Sequence, residues 1–222
     1  TLAGMVIGTV GLKLGPLSSL NTAATSYLTL AAGTATASTA PLKFISGTSM
    51  ATAEIGAIEY TTPQLFFTNG GAIRQEIQLV QQSRVSTQFN KTSDTTLANI
   101  TGLSGSLAAG KTYKFETILY TTSNNSGGVK VAIAGTCTAT NIIYESLTTD
   151  GATVVGVGTT RATALATTVS NHTSVTAALI KITGTITCNA AGTLTVQFAQ
   201  NASNGTASSV LVGSVFIINE MA

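Results

Sequence analysis

Apolar and polar positions alternate along most of the chain, in short runs of Thr, Val, Ile, Tyr and Phe punctuated by Gly, Asn and Ser. That is the period of a half-buried strand, and it predicts an all-β protein. The clearest run, Thr112 to Thr121, sets Tyr113, Phe115, Thr117 and Leu119 on one face and Lys114, Glu116, Ile118 and Tyr120 on the other. Further strands are predicted at Val129 to Ala134, Asn141 to Glu145, Val175 to Cys188, Thr193 to Ala199 and Ser209 to Ile218. The connectors SNNSGG, TTDGA, NAAG and QNASNGTA consist of residues that favour turns and tolerate positive φ. About eight strands in roughly 140 residues, with no helix between them, indicate a jelly-roll-like β-sandwich whose strand order the pattern does not fix. One window is ambiguous. From Ile73 to Val85, helical spacing groups Ile73, Ile77, Val80 and Arg84, whereas period two groups Ile77, Leu79 and Gln81.

The first third differs. From Thr1 to about Asn69 small residues dominate, and the few aromatics (Tyr27, Phe44, Tyr60, Phe66, Phe67) cannot fill a core. Within it, Ile58 and Tyr60 share a face with Glu59 opposite, Thr61 to Gln64 turns, and Leu65 to Thr68 returns before Asn69-Gly70-Gly71. This predicts a β-hairpin leading into another short strand. The resulting division is an extended N-terminal stalk or anchor over residues 1–80 and a sandwich head over residues 81–222.

Composition narrows the function classes. Of 222 residues only 8% are charged, 44% are hydrophobic, and the formal net charge is +2. Disordered chains are poorer in apolar residues, and nucleic-acid binders cluster their Lys and Arg, which here are scattered. The polar mass is neutral, with 41 Thr and 30 Ala. No run approaches the roughly 18–20 apolar residues of a membrane span. The apolar run Leu2 to Leu20 is broken by Lys13, Pro16 and glycines and has no basic segment before it, so it does not read as a signal peptide. The start at Thr1 suggests a trimmed or partial product.

The neutral composition leaves little for catalysis. His172, the one histidine, sits in SNHTS far in sequence from any carboxylate, and Asp94, Glu116, Glu145, Asp150 and Glu220 are widely spaced, whereas a glycosidase needs two carboxylates facing one bond. The segment from Gly105 to Thr112 matches the spacing of a phosphate loop, but a strand, not a helix, is predicted to follow it. Cys137 and Cys188 are too few for a Cys-based zinc site and stand either as reduced thiols or as one disulfide. The Asn-X-Ser/Thr triplets at Asn90, Asn99, Asn124, Asn171, Asn201 and Asn204 are expected by chance in so Asn-, Ser- and Thr-rich a chain. No catalytic residue, metal or cofactor is expected. Recognition by loops remains, at Thr121 to Gly128, Thr148 to Thr163 and Gln200 to Ser208. The candidate receptor contacts there are Tyr120, Asn124, Asn125, Tyr144, Asp150, Asn201 and Asn204, with a glycan as the candidate ligand.

The segments Ala32 to Ala37, Ala40 to Phe44, Ser46 to Thr48, Gly56 to Tyr60, Leu65 to Thr68 and Arg74 together resemble a module of tailed-bacteriophage tail-fibre and related virion proteins. Leu107 to Phe115 and Gly127 to Gly135 resemble the β-sandwich that often follows it. The likeness covers about Leu28 to Gly135, and Thr61-Thr62-Pro63 departs from the Asp-Gly turn usual there. It implies a homotrimeric, non-enzymatic structural protein on the virion surface, assembled in the bacterial cytoplasm. Its N-terminal region would contact other virion proteins, and the protein would serve host-surface attachment as a tail fibre or appendage. The alternative is a head decoration protein binding the capsid. A secreted adhesin and a polysaccharide depolymerase are the more distant readings.

Overall fold

The computed structural model describes residues 34–36, 40, 42–61, 64–78, 80–150, 153–154, 161–172 and 177–221. The expected stalk before residue 34 and the Leu2 to Leu20 run lie outside them. The chain divides between Glu76 and Ile77 into two units. Every strand of both pairs antiparallel, and no helix occurs among the described residues, as the alternation requires.

The first unit is a three-stranded meander, β1 (Ile58–Thr61), β2 (Gln64–Thr68) and β3 (Arg74–Glu76), in that order. Ile58 pairs with Phe67 and Tyr60 with Leu65, which places these four on one face. Glu59, Phe66, Arg74 and Glu76 lie on the other. The turn after β2 is built by Asn69, whose Oδ1 accepts from the amides of Gly71 at 3.0 Å and Ile73 at 3.1 Å. Ala72 there takes a positive φ of 55°.

The second unit is a β-sandwich. Its larger sheet has eight strands: β4 (Val80–Arg84), β5 (Phe89–Lys91), β7 (Thr112–Thr122), β9 (Thr138–Asp150), β10 (Thr153–Val154), β12 (Ala177–Ala190), β14 (Ser208–Val210) and β15 (Val215–Met221). They run β10-β9-β12-β7, after which the free edge of β7 pairs along different stretches with β14 and β15, which in turn pair with β5 and β4. The smaller sheet is β11 (Thr168–His172), β8 (Val129–Gly135), β13 (Gly192–Ala199) and β6 (Ala98–Leu107), in that order. The ambiguous window resolves as strand, because β4 finds a partner in β15, with Val80 opposite Asn219 and Arg84 opposite Val215.

The core lies between the sheets. Tyr113, Phe115, Leu119, Ile180, Ile182 and Phe216 of the larger sheet, and Val131, Ile133, Leu194, Val196 and Phe198 of the smaller, are all at most 3% exposed. Each such side chain contributes about 1.5–3 kcal/mol on burial, which makes this interface the main source of the unit's stability. Gly184 of β12 sits opposite both Phe115 and Tyr144. A Cβ there would come within 2.6 Å of the Phe115 ring and 2.5 Å of the Tyr144 Cβ, so the absent side chain is what lets these two rings pack at 6.2 Å. At one margin of the sandwich the Gln81 amide donates to the Ser106 carbonyl at 2.8 Å and accepts the Ser106 amide at 2.9 Å, tying β4 to β6 of the other sheet.

Two strands differ from their predicted bounds. Ser209 to Ile218 is interrupted by a turn in which the Ser214 amide donates to Leu211 and Gly213 takes a φ of 94°. Asn141 to Glu145 is the middle of β9, which runs on to Asp150.

Candidate functional site

Three loops of the second unit, over residues 92–97, 123–128 and 200–207, are joined by side-chain hydrogen bonds. Gln200 is their hub and is fully buried. Its Nε2 donates to the carbonyls of Asn204 at 3.0 Å and Thr206 at 2.8 Å, and its Oε1 accepts from the amides of Asp94 at 3.2 Å and Asn204 at 3.1 Å. Both donors and the acceptor oxygen are therefore satisfied, as a buried amide requires. Asn124 Nδ2 donates to Asn204 Oδ1 at 2.6 Å, and the Asn124 Oδ1 receives the amides of Ser126 and Gly127. In the third loop Asp94 is paired with Lys91 and accepts the Thr96 amide at 2.7 Å. The Lys91 ammonium, helped by that amide, lowers the Asp94 carboxyl to about 2. The loop end is thus held in one arrangement, and the amides of Asn124 and Asn204 are spent on building it.

The other predicted contacts are dispersed. Asn125 is exposed and Asn201 half-buried on these loops. Tyr120 lies on β7, its side chain 45% exposed on the outer face of the larger sheet. Asp150 ends β9, where its backbone pairs with Thr153. Tyr144 is a correction. It is 1% exposed and points into the core, where its hydroxyl donates to the Thr167 carbonyl at 2.7 Å. Because β9 extends well past Glu145, Tyr144 is a mid-strand residue and not the rim of a loop.

The sequence features with chemical precedent resolve similarly. The segment from Gly105 to Thr112 links β6 to β7, two strands, so its glycines open no helix onto which a phosphate could bind. Cys137 and Cys188 are free thiols, 3% and 1% exposed. Burial, reinforced by the neighbouring Cys188, pushes the Cys137 thiol up to about 11, which makes it a poor nucleophile. His172 pairs through its backbone with Val129 at the edge of the smaller sheet. Among the described residues no three His, Cys, Asp or Glu side chains gather as a metal site.

Sequence reasoning missed a trough of about 450 Å³ on the outer face of the larger sheet. Its floor is β12, where Thr183 and Thr185 are short, and its sides are Lys114 of β7 with Ile143 and Glu145 of β9 and Arg161 beyond them. The registers place Lys114, Thr185 and Ile143 in one cross-strand row, and Glu116, Thr183 and Glu145 in the next. Arg161 reaches that second row because Ala162 bridges Tyr144, with mutual backbone hydrogen bonds of 3.0 and 2.8 Å. The signal was present in the sequence as two short outward residues on a long strand flanked by longer outward residues, but only the strand order reveals the neighbours.

No family model matches the sequence, and the comparison with curated proteins gives no match. Solved structures with some likeness come from infectious bursal disease virus. The structure of the Gt strain shares 13% identity over 67% of this chain, with a TM-score of 0.20. That of the Gx strain shares 11% over 75%, with a TM-score of 0.22, and that of the T13 viral particle 12% over 76%, with a TM-score of 0.21. The chain spans 43% to 44% of the length of these proteins. Likeness at this level does not bear on function.

Proposed function

We propose that the chain is a non-enzymatic structural protein of a tailed-bacteriophage virion, a homotrimeric fibre or related appendage. It attaches through its N-terminal region and uses the C-terminal sandwich for host-surface contact. The observation that carries this reading is the inverted polarity of the first unit. Its charged face is internally satisfied: Arg74 Nε meets Glu59 Oε2 at 2.6 Å, and the Gln64 amide reaches Glu76 Oε2 at 3.3 Å. Its apolar face is the open one, with Ile58 52% and Phe67 41% exposed, and Ile45, Ile55 and Ile73 of the same unit are each more than 60% exposed.

A three-stranded sheet this small, with Tyr60 and Leu65 half-buried but Ile58 and Phe67 open to solvent, gains stability by covering the rest of its apolar face. Copies of the same chain arranged about an axis supply the cover with a single surface, and three are what the resemblance to fibre modules implies. The motif residues quoted for that resemblance are also those that build the unit, because Glu59 of the GAIEY segment and the distant Arg74 form its ion pair. The test is labelling of intact particles with an antibody to the chain. Label on the tail or its appendages is the expected result; label distributed over the head would assign the protein to capsid decoration instead.

A further inference from the structure

The trough on the larger sheet has the makings of a ligand site that the loops lack. Lys114 is exposed and has no carboxylate within ion-pair distance among the described residues. Arg161 touches Glu145 only at 3.9 Å, with the two side chains 69% and 54% exposed, so most of its donors face solvent. Glu116 in the adjoining row is already held by Lys181 at 3.0 Å. The walls therefore carry two incompletely neutralised cations against one loosely held carboxylate. Three interstrand steps and a two-residue offset along the strands set the backbones of the two cations roughly 16 Å apart. Between them the hydroxyls of Thr183 and Thr185 have no hydrogen-bonding partner among the described residues, and Ile143, 42% exposed, offers an apolar flank.

We propose that this trough binds an acidic saccharide, and so names the ligand class for the host-surface contact on whose reading it rests. Lys114 and Arg161 take the anionic groups, the guanidinium in bidentate fashion. Thr183, Thr185 and Glu145 hydrogen-bond ring hydroxyls, and Ile143 packs against the apolar face of a ring. A neutral glycan would leave both cations unused. Tyr120, six residues from Lys114 along β7, is roughly 20 Å away and outside this site.

Calorimetric titration of the whole purified chain with an oligogalacturonate, its carboxyl-reduced neutral counterpart and inorganic phosphate tests this. The expected result is binding of the oligogalacturonate alone, weakened about tenfold or more in Lys114→Ala and in Arg161→Ala, as loss of a charge-assisted hydrogen bond predicts. Val212→Ser, at an exposed loop position, should change nothing. Equal binding of the neutral sugar, no binding of the acidic one, or loss of binding in Asn125→Ala but not in the trough variants would overturn the proposal. Adsorption of the protein to host cells separates the two readings. Adsorption undiminished in Lys114→Ala/Arg161→Ala removes the trough and keeps attachment. Saccharide binding with no adsorption keeps the trough and removes attachment.

Discussion

Arg74 donates through Nε to Glu59 at 2.6 Å and through a second nitrogen to the Met50 carbonyl at 2.8 Å, while Glu59 also accepts the Met50 amide at 2.7 Å. One ion pair thus pins β1, β3 and the segment before them. The Arg74 hydrogen bond, then the Met50 amide, lowers the Glu59 carboxyl below its usual 4.5. A carboxyl lowered in the folded state contributes stability above its unfolded value, which is lost as the pH falls through the folded value. Proteolysis within residues 42–76 should therefore accelerate as the pH drops below about 4.5, and Glu59→Gln should show the same susceptibility at neutral pH. Unchanged cleavage in the variant would mean that the pair does not hold this unit together.

Gln200→Ala removes the buried hub of the three loops and takes away the partner of the Asp94 and Asn204 amides and of the Thr206 carbonyl, while the Asn204 carbonyl keeps the Ser93 amide. The expected loss is about 2–3 kcal/mol in chemical denaturation. Lys91→Ala, at a partly exposed pair, should lower stability much less than Gln200→Ala does.

Gly184→Ala would drive a Cβ to 2.5 Å from the Ile143 carbonyl, which is backbone and cannot swing aside. Overpacking of this kind costs about 1–3 kcal/mol, and the thermal midpoint should fall accordingly. Tyr144→Phe keeps the ring and loses the one hydroxyl proton, which is aimed at the Thr167 carbonyl at 2.7 Å with those of Ala164 at 3.1 Å and Ile133 at 3.4 Å beside it, so about 1 kcal/mol is expected. A Tyr144→Phe protein as stable as the parent would show that the hydroxyl is not needed to fix the 161–167 segment.

The thiols of Cys137 and Cys188, buried and raised in pKa, should resist alkylation at pH 8 in the native protein and react fully only in denaturant. Mass spectrometry after timed iodoacetamide treatment reads this directly. Rapid native labelling would contradict the packing of β9 against β12 at that end.

Where a strand pairs on both edges and alternates cleanly, the sequence was readable: the four residues assigned to the inner face of β7, Tyr113, Phe115, Thr117 and Leu119, are all 3% exposed or less. The hairpin from Ile58 to Thr68 was legible from its alternation, although β1 pairs only with β2. β6 is not legible in the sequence because Gly102 and Gly105 break its alternation. Gly102 takes a φ of 87° with the Arg84 carbonyl 2.6 Å from where its Cβ would be, and Gly105 lies under Ile218, both close approaches that only the assembled sheets create. From sequence, polar loops at the sandwich ends point to receptor contacts, because strands hold loops in place and Asn side chains hydrogen-bond sugars. The folded chain uses Asn124 and Asn204 to fasten the loops and buries Tyr144, while the trough depends on Thr185 lying between Lys114 and Ile143, a relation of strand order and not of local sequence.

The central claim is that the open apolar face of the first unit is completed by other copies of the chain. Sedimentation equilibrium of the purified protein at micromolar concentration tests it most directly. The account predicts a species of three times the 22.4 kDa chain mass, dissociating when Ile58→Asp and Phe67→Asp are combined. A folded monomer of 22.4 kDa, with the unsubstituted face and a protease-resistant first unit, would contradict it.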